Sequence, residues 1–82
     1  MNILIIEDEA EIVRFLSLEL QHEGYSVRSC TNGRAGLEEA MTGDFSLILL
    51  DVMLPELNGM EVLRRLRKES AVPVILVTAR DA

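Results

Sequence analysis

At 82 residues, with 49% hydrophobic side chains, two prolines and five glycines, the chain has the composition of one small globular domain and not of a disordered tail. Its formal net charge of −6 excludes the basic footprint that direct nucleic-acid binding requires. The single cysteine, Cys30, rules out an internal disulfide, and the opening apolar run, Ile3 to Ile6, is too short for a signal or membrane segment. A cytoplasmic setting without membrane contact is the expectation.

The first predicted element is a strand over Ile3 to Ile6, closed by Glu7-Asp8-Glu9. A helix follows, with Ile12, Phe15, Leu16 and Leu20 on one face and Glu11, Arg14 and Glu19 largely elsewhere, ending near Gly24. His22 near its end reads as a cation suited to a helix C-terminus rather than a metal ligand. Tyr25 to Cys30 reads as a second strand, with Tyr25 structural and Cys30 a buried, inert thiol. The second helix, roughly Arg34 to Met41, is weakened by Gly36, which costs about 1 kcal/mol against alanine, and Gly43 stops it.

The third strand, Leu47 to Leu50, runs into Asp51 and then into V-M-L-P-E-L-N-G. Asn58 is a good N-cap for a third helix that presents Met60, Leu63 and Leu66 inward, and Met41 and Met60 are expected as core filler. Arg64, Arg65, Arg67 and Lys68 form a basic cluster that reads as a solvated face compensating the helix dipole. Val72 to Val77, opened by Pro73, is a fourth strand closing at Thr78-Ala79.

The order is β-α-β-α-β-α-β, and strands apolar throughout indicate a doubly wound α/β fold with a parallel sheet. Strand starts recur roughly every 20 to 27 residues, but the leucine-rich pattern that would make them a solenoid is absent. If the strand order is 2-1-3-4, strands one and three lie astride the point where the winding reverses, which is where open parallel sheets bind ligands. Glu7, Asp8 and Asp51 then share one crevice. Like charges about 4 Å apart repel by about 4 kcal/mol at an effective dielectric near 20, so the cluster calls for a proton or a hard cation such as Mg²⁺. A carboxylate beside such an ion can act as a nucleophile and form an aspartyl phosphate. Taken singly, Asp8 reads equally well as a helix cap and Glu9 as a dipole partner.

The blocks ILIIEDE, LILLDVMLPELNG and VILVTARD, in this order and spacing, resemble the receiver domain of two-component response regulators over the whole chain. The resemblance implies a flavodoxin-like fold with Asp51 as phosphoacceptor, fed by a histidine kinase. It implies Mg²⁺ held by Asp8 and Asp51, by Glu7 through water, and by the main-chain carbonyl of Met53. Thr78 is the implied switch hydroxyl, with Ala79 leaving room for phosphate, while Pro55 and Gly59 shape the loop after Asp51. Such a domain catalyses its own phosphorylation and dephosphorylation and is not an enzyme in the ordinary sense. LDVMLPELNG and VTARD lean toward the winged-helix transcription-factor class.

Against the family's five strands the chain supplies four, so the expectation is a truncated receiver over residues 1–82, lacking the family's fourth helix, fifth strand and fifth helix. The phosphate-binding lysine of that fifth strand has no counterpart, since Lys68 belongs to the third helix. Helix one lies alone on its face of the sheet, and one helix covers about two strands, leaving strands three and four partly bare. The alternative reading is therefore an inactive structural fragment that dimerises, swaps or complements another polypeptide. A Mg²⁺-dependent phosphohydrolase is disfavoured because position 53 carries Met where a second acid would stand.

Overall fold

The computed structural model describes residues 1–77. Its elements are β1 (Asn2–Ile6), α1 (Ala10–His22), β2 (Ser26–Cys30), α2 (Gly33–Ala40), β3 (Leu47–Asp51), α3 (Gly59–Arg67) and β4 (Val74–Val77). All pairings are parallel, and the sheet order is β2-β1-β3-β4, as expected from the sequence. No helix among the described residues is long and apolar enough to cross a membrane.

Side chains alternate along each strand, so the sheet has two distinct faces. Leu4, Ile6, Ile48 and Leu50 point to one face and join Ala40 of α2 and Val62 and Leu66 of α3 in the main core. Ile3 and Ile5 point to the other face and are also fully buried. With α2 and α3 committed to the first face, α1 is the described helix left to cover the second.

That cover is partial. In β3, Ile48 and Leu50 are buried while Leu47 and Leu49, on the α1 face, are only half-buried. Ile75 of β4 is 51% exposed, which is the bare region expected beside a lone helix. No residue of α1 is fully buried, and Phe15, expected on its inward face, is 64% exposed. Ile12, Leu16 and Leu20 are half-buried, whereas Phe15 stays exposed.

Three further expectations need correction. Met60 faces outward at 51% exposure and Met41 at 41%, so neither fills the core; the buried stripe of α3 is Gly59, Val62 and Leu66. Gly36 is no weak point, because a Cβ there would lie 2.6 Å from Cγ2 of Ile6, and its absence lets α2 sit directly on β1. Tyr25 precedes β2, with its N–H donating to the Leu20 carbonyl at 3.1 Å, and Cys30 is half-buried rather than buried. Burial still raises the Cys30 thiol pKa, helped by the charge of Glu39, which keeps it in the inert thiol form at neutral pH.

Candidate functional site

The parallel register brings Ile6 beside Leu50, so the next residues, Glu7 and Asp51, stand level at the carboxyl ends of adjacent strands. Both are buried, Glu7 at 3% and Asp51 at 7% exposure, while Asp8 is exposed. Carboxylate oxygens of Glu7, Asp8 and Asp51 all lie within 4.8 Å of one another. The structure thus joins the acids that the sequence placed in one crevice.

Each acid is held by local backbone chemistry. Glu7 donates its N–H to the Cys30 carbonyl at 3.0 Å, which ties the end of β1 to β2, and its Oε2 accepts from the Glu9 N–H at 3.0 Å. Glu9 is the N-cap of α1 and makes no side-chain cap bond, so Asp8 does not cap the helix. That removes the simplest structural reason for Asp8 to be acidic. Asp51 Oδ1 accepts from the Met53 N–H at 3.3 Å, an Asx-type turn that carries the chain off the end of β3.

The loop between β3 and α3 is fastened at both ends. Gly59 donates its N–H to the Val52 carbonyl at 2.8 Å, and a Cβ on Gly59 would stand 2.1 Å from the Asp51 carbonyl oxygen. Only glycine permits that approach. Asn58 caps α3 by accepting from the Glu61 N–H at 3.0 Å, as its sequence position suggested. The Pro55 carbonyl accepts from Leu57 at 2.8 Å and from Gly33 at 3.3 Å, binding the loop to the start of α2. Between them Glu56 sits at φ +68°, a left-handed position for a non-glycine residue inside a three-residue turn.

Electrostatically the cluster is frustrated. Burial pushes the Glu7 carboxyl pKa up, and the charges of Asp51 and Asp8 push it further, against the opposing Glu9 hydrogen bond. An acid whose folded pKa is raised binds its proton more tightly in the native state, so its contribution to stability is complete below the unfolded value of 4.5. That contribution is lost as pH rises through the raised folded pKa. The metal-free chain should therefore melt higher near pH 5 than near pH 7.5, with the difference shrinking in Glu7→Gln. Thermal melts of the two proteins at both pH values check this; equal pH dependence in both would mean that Glu7 is not the titrating group.

A groove of about 610 Å³ opens from Asp8 along Val52, Met53, Leu54, Pro55, Asn58 and Met60. Its wall is mainly apolar, although sequence reasoning placed Met60 in the core. A second groove, of about 320 Å³, lies at the other end of the strands between Asn2, Ser26, Arg28, Glu39 and Asp44, spanned by an Arg28–Glu39 ion pair at 3.7 Å. On α3, Arg64 and Arg65 both bond the Glu61 carboxylate, which is held down to about 2, so much of the basic cluster is spent within its own helix. Thr78 and Ala79 lie outside the described residues; Val77, which precedes them in sequence, is the register partner of Asp51.

The model of the response regulator receiver domain matches residues 3–82. An uncharacterized transcriptional regulatory protein of Bacillus subtilis, YkoG, is 62% identical over 82 residues, covering 99% of this chain and 36% of that protein. The chain thus spans about a third of the length of such curated relatives. Among solved structures, the response regulator TrrA of Thermotoga maritima in complex with Mg²⁺-BeF superposes with a TM-score of 0.90 at 36% identity, covering 98% of this chain and 70% of that one. TrrA in complex with the histidine kinase ThkA gives a TM-score of 0.87 at 35% identity, covering 99% and 71%.

Proposed function

Since the chain belongs to the response regulator receiver family, we propose that it is the phosphoacceptor segment of a two-component regulator, with Asp51 receiving a phosphoryl group from a histidine kinase in the cytoplasm. The observation that carries this is the convergence of Glu7, Asp8 and Asp51 within 4.8 Å at the sheet's switch point. An Asp51 oxygen attacks phosphorus, its bond to phosphorus forms as the donor's bond breaks, and the leaving group departs with the proton it requires. The product is an acyl phosphate on the protein, so each chain is modified once per transfer and does not turn over in the manner of an enzyme.

The donor set fits Mg²⁺, being oxygen-only, acidic and partly open to solvent at Asp8. Glu7, Asp8 and Asp51 would hold the ion together with the main-chain carbonyl of Met53. When bound, Mg²⁺ offsets the carboxylate repulsion and the negative charge of the arriving phosphoryl oxygens. Glu7, buried and oriented by the Glu9 N–H, presents a carboxyl oxygen toward the ion site, and the Met53 N–H keeps Asp51 Oδ1 aimed. Thr78, following the residue paired with Asp51, is the candidate switch hydroxyl for the bound phosphoryl group.

Transfer in this 82-residue polypeptide should be slow. Its only lysine, Lys68, caps α3 at the end away from Asp51, on the order of 13 Å along the helix axis from Gly59. Preorganised positive charge at the phosphoryl oxygens is worth several kcal/mol in comparable sites, and Lys68 cannot supply it. Incubation with acetyl phosphate, followed by intact-mass measurement, should show a single phosphoryl group gained over hours, in Mg²⁺ only, and none in Asp51→Asn. Equal modification without Mg²⁺ would refute the proposal.

A second reading, self-association or completion of the fold by another polypeptide, is favoured by the bare apolar surface. Phe15 is 64% exposed, Leu18 59% and, on the α1 face of the sheet, Ile75 51%, and β4 is the terminal strand of the described sheet. An open strand edge beside an apolar patch is a pairing template. Sedimentation at micromolar concentration should show dimers or larger species. A strictly monomeric, cooperatively melting chain that binds no hydrophobic dye would exclude this reading.

A further inference from the structure

Two methionines that the core does not use stand on the wall of the groove that opens at Asp8. Met53, in the β3–α3 loop, is 53% exposed, and Met60, in the first turn of α3, is 51% exposed. Both line the same groove. Met53 is also coupled to the reacting carboxylate, since its N–H donates to Asp51 Oδ1. Neither thioether is needed for packing, so a change in its chemistry acts on the groove and leaves the fold standing.

We propose that Met53 and Met60 form an oxidation-sensitive lip, whose conversion to sulfoxide by a peroxide slows phosphoryl transfer to Asp51. The step is a two-electron oxygen transfer. A sulfur lone pair attacks one peroxide oxygen, the O–O bond breaks, an S–O bond forms, and the second oxygen leaves as water after taking up a proton. The thioether, apolar and weakly accepting, becomes a polar group with a partially negative oxygen. Two such oxygens then stand beside a cluster that already gathers three carboxylates on a chain of net charge −6. An anionic phosphodonor entering along this wall meets added negative potential and a hydrated surface where it formerly met an apolar one. Methionine sulfoxide is reduced enzymatically, so the effect is reversible.

This inference rests on Asp51 as the phosphoacceptor. The test treats the full chain with hydrogen peroxide, maps sulfoxides by peptide mass, and compares acetyl phosphate-driven phosphorylation rates before and after treatment. We expect a loss of about fivefold, equivalent to about 1 kcal/mol in the barrier, reversed by methionine sulfoxide reductases. In a chain carrying Met53→Leu and Met60→Leu, the ratio of treated to untreated rates should return to unity. Because Met1, Met41 and Cys30 remain in that variant, an equal loss there would assign the effect to them and overturn the inference. An unchanged rate with both groove methionines fully oxidised overturns it as well. An untreated chain that takes up no phosphoryl group at all overturns the proposed function itself, and this inference with it.

Discussion

In metal-free buffer, Asp51→Asn melts higher than the parent chain. Oxygens of Glu7, Asp8 and Asp51 lie within 4.8 Å of one another, and two unit charges at such a separation repel by about 3 to 4 kcal/mol at an effective dielectric near 20. Much of this is relieved before any substitution, because Glu7 holds its proton more tightly than usual and Asp8 reaches solvent. A residual gain of about 1 kcal/mol remains, or about 4 to 8 °C for a domain of this size. Asparagine retains the oxygen that accepts from the Met53 N–H, so the loop geometry survives the change. Millimolar Mg²⁺ should raise the melting temperature of the parent and leave the variant nearly unmoved, since a ligand stabilises only the state that binds it. A variant that melts lower than the parent without metal would show that repulsion does not dominate the cluster.

Gly59→Ala should be among the most damaging single methyl additions in the chain. The added Cβ would lie 2.1 Å from the Asp51 carbonyl oxygen and 2.8 Å from Val52 Cα, and both are backbone atoms that no rotamer change can move aside. Overpacking of this kind costs about 3 kcal/mol, or about 12 to 24 °C in melting temperature. The shift also separates α3 from the end of β3, so the stabilisation by Mg²⁺ should disappear along with the thermal stability. Gly43→Ala is the control: nothing lies within 4 Å of its Cβ, and the cost there is only that of a residue held at φ +80°, about 1 kcal/mol. Calorimetric melts of both variants check the contrast, and equal losses would mean that the close approach at Gly59 does not exist.

The elements were legible because the signals that set them are local and redundant, whereas the order of the strands came in part from the resemblance to the receiver family. Four apolar runs separated by amphipathic segments leave little choice but a parallel sheet, and the acids at the ends of strands one and three meet once the family's strand order is adopted. The rotation of α3 was not legible. Met60, Leu63 and Leu66 make a plausible apolar face by spacing alone, but Gly59 presses against Asp51 and turns Val62 and Leu66 inward, leaving Met60 on the groove. A contact made by an absent side chain leaves no hydrophobic signal. The same blindness turned Gly36 into an apparent defect, when Ile6 occupies the space a side chain would take. Phe15 shares the apolar face of α1 by spacing yet is exposed, because periodicity records which residues share a face and not whether anything lies opposite. Two features do carry a local signal in the sequence: Asn32 three residues before Ala35, whose N–H it accepts to cap α2, and Glu61 three and four residues before Arg64 and Arg65.

On the proposed function, Asp51 is the nucleophile and the neighbouring acids serve it by holding a cation. The most direct measurement treats the chain with acetyl phosphate in the presence and absence of Mg²⁺, reduces the acyl phosphate with borohydride, and locates the reduced residue by peptide mass. The prediction is reduction at position 51 alone, dependent on Mg²⁺ and abolished in Asp8→Asn. Reduction at Glu7 or Asp8, or labelling of Asp51 that is indifferent to Mg²⁺ and to Asp8, would contradict it.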